Sequence, residues 1–221
     1  MNVKAFFLIF LYFTSLHGDF SMRTLKSMPR IFHIPQFLSH EECDRMIQMA
    51  RPQLKPSTVV DDEHGSKNGV LDSRRSSQGM FFQQNPKDSS LRNIEERIAA
   101  LTGLPIQNGE AIQVLWYPVG AEYQPHYDYF NPSTPGGAAN LSRGGQRVAT
   151  LIMYLNTPEK GGETIFPLVG VSVIPKKGDA LLFYSCTPSG EIDPYTLHGG
   201  APVKGGEKWI ATKWIRMGVF R

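Results

Sequence analysis

Beyond residue 110 the chain breaks into short runs rich in β-branched and aromatic residues: "AIQVLWYPV", "RVATLIMYLN", "ETIFPLVGVSVIP", "DALLFYS" and "KWIATKWIRM". Gly, Pro and Asn separate them, and no helical period intervenes. Parallel strands need long, usually helical crossovers, so this pattern argues against a parallel α/β sheet and for an antiparallel sandwich or jelly roll. Upstream the pattern changes. In "FLSHEECDRMIQMA", Ser39 and Glu42 have capping-box spacing and Leu38 can staple against Cys43, predicting a helix over about 40 to 50. Leu91, Ile94, Ile98 and Leu101 recur at helical steps and predict a second over about 89 to 102. Between them, "STVVDDEHGSKNGVLDSRRSSQGMFF" reads as strand, flexible loop and strand, and "NPSTPGGAANLSRGGQ" (131–146) reads as a long flexible loop of the kind that covers binding sites.

A length of 221 residues with 41% hydrophobic content suffices for one large core. Net charge is +3 and the basic residues are dispersed, which gives no nucleic-acid footprint. Cys43 and Cys186 are 143 positions apart and have no C-x-x-C partner, which argues against both a zinc ribbon and a disulfide scaffold and leaves free thiols or one long-range bridge. The start, "MNVKAFFLIFLYFTSLHG", places one lysine before an apolar run from Ala5 to Phe13, the layout of a secretory signal. That run is too short to span a bilayer. Residues 1 to about 20 are therefore expected to be a targeting segment, directing the chain to a secretory lumen, a periplasm or the exterior, and the domain is expected over 30 to 221.

The stretch "YQPHYDYF" sets His126 and Asp128 two positions apart, which in a strand directs both side chains to one face. Such a pair is more commonly a hydrogen-bonded couple than a ligand pair. Of the six histidines, His17 falls in the targeting segment and His33, His40 and His64 precede the strand-rich half, which leaves His198 in "DPYTLHGGAPV". Two histidines and one carboxylate are the set that leaves open positions on non-haem Fe(II), whereas structural zinc would want four protein ligands. Ten residues on, Lys208 lies in "GGEKWIATKWIRM" beside Trp209 and Ile210. It could snorkel to solvent, or anchor the far carboxylate of a co-substrate bound at a metal.

Taken together, "YPVGAEYQPHYDYF", "GGQRVATLIMYLNTPEKGGETIFP", "KKGDALLFYS" and "DPYTLHGGAPVKGGEKWIATKWIR" resemble the catalytic domain of the prolyl 4-hydroxylases, which are Fe(II)- and 2-oxoglutarate-dependent dioxygenases. The resemblance implies a mainly-β α+β fold, a double-stranded β-helix (jelly-roll) core with flanking N-terminal helices. It implies His126, Asp128 and His198 as iron ligands, Lys208 as the anchor for 2-oxoglutarate, and Tyr117 and Thr164 as hydroxyls near that co-substrate. Tyr123, Arg147 and Trp214, and less directly Glu110 and Val59, fall where relatives face the peptide. The implied reaction consumes O2 and 2-oxoglutarate and hydroxylates a proline in a peptide or protein, giving succinate and CO2, with L-ascorbate as reductant of oxidised iron. Rival readings are an oxygenase acting on another residue or a small molecule, and a metal-bound module without turnover. Relatives often read "HAGCPV" where this chain has "HGGAPV", so Ala201 cannot supply a thiol. The chain resembles the compact, single-domain members of the family.

Overall fold

The computed structural model describes residues 21–66, 69–84 and 86–221. In chain order the first elements are β1 (Arg23–Lys26), β2 (Ile31–Ile34), α1 (His40–Ala50), β3 (Lys55–Pro56), β4 (Thr58–Val59), β5 (Val70–Leu71), β6 (Gln78–Phe81) and α2 (Ser89–Thr102). There follow β7 (Gln113–Tyr117), β8 (Tyr123–His126), α3 (Pro135–Leu141), β9 (Arg147–Tyr154), β10 (Lys160–Gly161), β11 (Thr164–Phe166) and β12 (Val171–Val173). The last are β13 (Ala180–Tyr184), β14 (His198–Gly200), β15 (Val203–Gly205) and β16 (Lys208–Arg216). An eight-stranded sheet in the order β1-β2-β13-β9-β16-β7-β6-β3 accompanies a four-stranded sheet ordered β12-β11-β14-β8, and the pairings are antiparallel. This is the jelly roll expected from the strand pattern.

The central strand β16 shows how the fold sorts its residues. All nine of its residues are buried, because it lies between β7 and β9 and both its faces are covered. Trp209, Ala211 and Ile215 join a core with Cys43 and Met46 of α1 and Leu91, Ile94 and Ile98 of α2. Side chains one step out of phase point the other way. Ile210 packs with Leu115, Ile152, Tyr154 and Phe166 between the two sheets, and Lys208, Thr212 and Trp214 line a pocket there. Burial on both faces is why the strand reads as nearly continuous apolar sequence.

Both predicted helices form at the expected places. Ser39 and Glu42 close the capping box at 2.9 and 3.1 Å, and Leu38 and Cys43 lie in the same helix-side core. Asp88 caps α2 by accepting from the Leu91 amide, and Gly103, at φ +69°, ends it in the left-handed conformation.

Three expectations need correction. The 131–146 segment contains α3, for which Thr134 supplies the cap and Pro135 the first turn. Its glycines signal close packing rather than looseness: a Cβ at Gly136 would come within 2.1 Å of the Asp61 carbonyl oxygen. The strand-rich half also carries a 3-10 turn at Pro194–Thr196. Finally, the sheet includes β1, upstream of the expected domain start at 30. Cys43 and Cys186 are buried free thiols. The expected targeting segment, 1 to about 20, lies outside the described residues, and among those described no helix is long and apolar enough to cross a membrane.

Candidate metal and co-substrate site

β8 and β14 pair so that His126 stands opposite His198, with the ring centres 4.5 Å apart. β8 ends at His126, so Asp128 is not part of the strand and the simple two-residue alternation does not apply to it. It sits in the bend that follows. Its carboxylate nevertheless reaches between the two rings: Oδ1 is 3.8 Å from His126 Nε2 and Oδ2 is 3.6 Å from His198 Nε2. These separations are too long for hydrogen bonds. The three ligand atoms lie within 4.8 Å of one another, as donors around a single cation would.

The surroundings fix each donor. His126 Nδ1 is 2.9 Å from the Gln124 carbonyl and His198 Nδ1 is 2.9 Å from that of Thr196, which makes Nδ1 the protonated nitrogen and leaves the Nε2 lone pairs toward Asp128. Burial, reinforced by His198, pushes the His126 imidazole down to about 3, so it is neutral near pH 7. Burial alone would raise the Asp128 carboxyl, but His198, His126, Arg147 and a 2.7 Å hydrogen bond from Thr150 outweigh it and hold it below the ordinary range. One carboxylate and two imidazoles whose Nε2 atoms face the gap among them fit a divalent iron.

Lys208 opens β16 directly opposite Tyr117 of β7 and is only 2% exposed. Its Nζ lies 5.3 Å from the centre of the Tyr117 ring. Burial pushes the ammonium down to about 8, with Glu163 opposing from a distance, and among the described residues no carboxylate is paired with it. The pocket it shares with the three ligand residues is lined by Tyr117, Thr164, Ile152 and Thr212. Thr164 accepts a 2.9 Å hydrogen bond from Tyr154. The glycines of "GGET" make room here, since a Cβ at Gly162 would press to 3.1 Å on Lys208 Cδ, and its φ of +74° suits glycine.

The five residues expected to face the peptide separate into groups. Tyr123 and Trp214 line the pocket. Arg147 and Glu110 do not; they form a two-pronged ion pair at 2.6 and 2.8 Å, with Arg216 adding a third bond to Glu110 at 2.6 Å. The Arg147 guanidinium lies 4.0 Å from the centre of the Trp214 ring, which makes the pair a supporting wall. Val59, in the β4–β5 hairpin, does not line the pocket. Sequence reasoning missed Thr150, Tyr154 and Arg75. The two hydroxyls interrupt the apolar run "VATLIMYL" and could have been noticed; Arg75, in "SRRSSQ", reads as a solvated charge but is 8% exposed and lines the pocket.

Comparison with known proteins agrees with this geometry. Residues 112–216 match the family model of the 2OG-Fe(II) oxygenase superfamily. The chain is 42% identical to probable prolyl 4-hydroxylase 3 of Arabidopsis thaliana over 92% of its own length and 75% of the relative's. It is 44% identical to prolyl 4-hydroxylase 1 of the same plant, over 90% and 73%. Among solved structures it is similar to the viral collagen prolyl hydroxylase of Paramecium Bursaria Chlorella virus-1 in its 2OG complex, at TM-score 0.65 and 31% identity, covering 84% of this chain and 95% of that one.

Proposed function

The chain belongs to the prolyl 4-hydroxylase family of 2OG-Fe(II) oxygenases, and we propose that His126, Asp128 and His198 hold its iron while Lys208 anchors 2-oxoglutarate. Its reaction is the 4-hydroxylation of prolyl residues, with 2-oxoglutarate and O2 consumed and succinate and CO2 formed. The observation that carries the assignment is the placement, in one pocket, of two imidazoles and a carboxylate with ligand atoms within 4.8 Å of one another and a buried ammonium that no carboxylate among the described residues pairs with.

When bound, the iron supplies the activation of O2 coupled to decarboxylation of 2-oxoglutarate. The chain supplies position and dryness. Lys208 pairs with the distal carboxylate of the co-substrate, and Tyr117 and Thr164 offer hydroxyls beside it. Leu115, Ile152 and Ile210 form apolar walls that exclude water. Tyr123 and Trp214 present aromatic surface to a proline-containing peptide, since proline in its extended form docks on aromatic-lined grooves. Arg147 and Glu110 brace Trp214 from behind, and Val59 belongs to a hairpin available to more distant peptide residues.

Ascorbate is assigned as the reductant that rescues iron oxidised in turnover without peptide. The apolar run from Ala5 to Phe13 supports a targeting role for the first 20 residues or so and a secretory-lumen, periplasmic or extracellular location; an intact Met1 at the start of natively made, soluble cytosolic protein would overturn that location. The central test is mass spectrometry of proline-rich peptides incubated with the protein, Fe(II), 2-oxoglutarate and ascorbate. Gain of one oxygen atom on proline, at C4 of the ring, is expected. Succinate release with peptide unmodified would overturn the peptide assignment.

A further inference from the structure

Asp128 is the one proposed ligand outside regular structure, because β8 stops at His126 and the backbone bends through 128 and 129. A residue in a bend has no ladder of hydrogen bonds to fix its direction, yet its carboxylate must lie between two imidazoles that are each set by a strand. Thr150 holds the carboxylate itself, through Oδ2. The backbone that carries it is held two residues further on, at Phe130, by the side chain of Gln146. Gln146 Oε1 accepts from the Phe130 amide at 2.7 Å, and its Nε2 donates to the Phe130 carbonyl at 2.9 Å. The same Oε1 accepts from the Arg147 amide at 3.0 Å, and the Gln146 carbonyl accepts from the Met217 amide, so the clamp is tied to the start of β9 and the chain just after β16.

A primary amide is the one uncharged side-chain group that can copy both halves of a peptide unit, a donor and an acceptor side by side. Gln146 therefore pairs with Phe130 as a neighbouring strand would, and closes the base of the segment that contains α3. The Phe130 ring is fixed as well, lying between the guanidiniums of Arg147 and Arg216 at 4.7 and 4.4 Å.

We propose that Gln146 is a positioning residue for the metal: its reciprocal hydrogen bonds to Phe130 orient Asp128 toward His126 and His198. This rests on the reading of Asp128 as an iron ligand. The role is separable from that of Lys208, which enters the pocket from β16 and is not among the hydrogen-bond partners of Gln146 or Phe130.

The test compares Gln146→Met, which keeps the length of the side chain and loses both hydrogen-bonding groups, with Gln146→Glu, which keeps the acceptor and sets a carboxylate against the Phe130 carbonyl. Fe(II) affinity of the full chain, titrated anaerobically into metal-free protein, is expected to fall at least tenfold in Gln146→Met and by a comparable amount in Gln146→Glu. With iron saturating, the KM for 2-oxoglutarate is expected to stay within twofold. Hydrogen exchange at the Phe130 amide is expected to be slow in the unaltered protein and to accelerate at least tenfold in Gln146→Met. Asp128→Ala is the control. If it loses iron while Gln146→Met binds within twofold of wild type, the positioning role is overturned and the ligand reading stands; if Asp128→Ala retains iron, both are overturned. Equal rises in the Fe(II) dissociation constant and the 2-oxoglutarate KM would show a general structural role and overturn the proposal. Rapid exchange of the Phe130 amide in the unaltered protein overturns it without recourse to any variant.

Discussion

The ring of Tyr123 lies flat on that of His126, with centres 3.6 Å apart and planes 17° apart. Arg75 lies over the same tyrosine, 4.7 Å from its centre. Stacking of this kind contributes about 0.5–1.5 kcal/mol beyond burial, and here it steadies an imidazole proposed as a metal ligand. Tyr123→Phe keeps the stack and is expected to leave Fe(II) affinity within twofold. Tyr123→Ala frees the ring and is expected to weaken Fe(II) binding by about twofold to twelvefold, the range those energies imply at 1.4 kcal/mol per decade. Metal titration of the two variants checks this, and equal affinities would mean the stack serves only the peptide groove.

His126→Ala, Asp128→Ala and His198→Ala are each expected to abolish succinate production while the protein remains folded by circular dichroism. No other His, Cys, Asp or Glu among the described residues joins the cluster to replace a lost donor. Thr150→Val probes the next layer outward. It keeps the shape of the side chain and removes the 2.7 Å hydrogen bond to Asp128. Loss of such a supporting contact commonly weakens metal binding by about 10- to 100-fold, and isothermal titration with Fe(II) measures it directly.

A third expectation concerns stability on the far face of the sheet. Lys213 of β16 and Glu95 of α2 form a buried pair at 2.7 Å, 3% and 6% exposed as residues. Glu95→Ala leaves the ammonium without its partner, which costs on the order of 3–5 kcal/mol. In a domain of this size that lowers Tm by about 10 °C. Because the pair faces the helices and not the pocket, KM for 2-oxoglutarate should be unaffected at temperatures where the variant is folded. Replacing both residues, Glu95→Leu with Lys213→Met, should restore most of the loss, since two apolar side chains leave no orphaned charge.

The strand-rich half was legible because β-branched runs and turn residues are local signals, and both long helices announced themselves through caps and period. α3 was not, because glycine is ambiguous in sequence: at Gly136 it answers to the backbone of Asp61, a contact made across more than seventy residues. The candidate ligand cluster was legible as a set of residue types, although strand alternation alone does not join His126 to Asp128, since Asp128 lies past the strand end. Glu110 and Arg147 are expected to face the peptide from the positions that relatives use. Only the fold reveals that the two pair with each other, and that Arg216 completes the cluster. Buried polar partnerships between distant segments have no periodic signature, so they are what a single sequence conceals.

Lys208 offers the sharpest test of how the co-substrate is held. Burial moves its ammonium from the ordinary 10.5 down to about 8. The folded chain without co-substrate thus binds that proton less tightly than the unfolded chain, so this group makes stability rise with pH between those two values, by about 3 kcal/mol in all. Co-substrate binding runs the other way. The proposed anchor is the charged form, so affinity for 2-oxoglutarate should be constant below pH 8 and fall by about tenfold per pH unit above it, and binding above pH 8 should take up protons from the buffer. Lys208→Ala removes the cation and leaves the carboxylate unpaired in a dry pocket, at a cost of roughly 3–5 kcal/mol, so KM for 2-oxoglutarate should rise by at least about 100-fold while Fe(II) affinity hardly changes. Lys208→Arg should recover only part of that affinity, because the planar fork must enter a space shaped by Tyr117 and Gly162 around a slimmer stem. It should also lose the pH dependence, since arginine keeps its charge throughout the range. Titrations of 2-oxoglutarate at saturating Fe(II) between pH 6.5 and about 9.5, a span chosen to bracket the lowered lysine value, measure all three. A wild-type KM that stays flat across that span, or one unchanged in Lys208→Ala, would place the distal carboxylate on some other group.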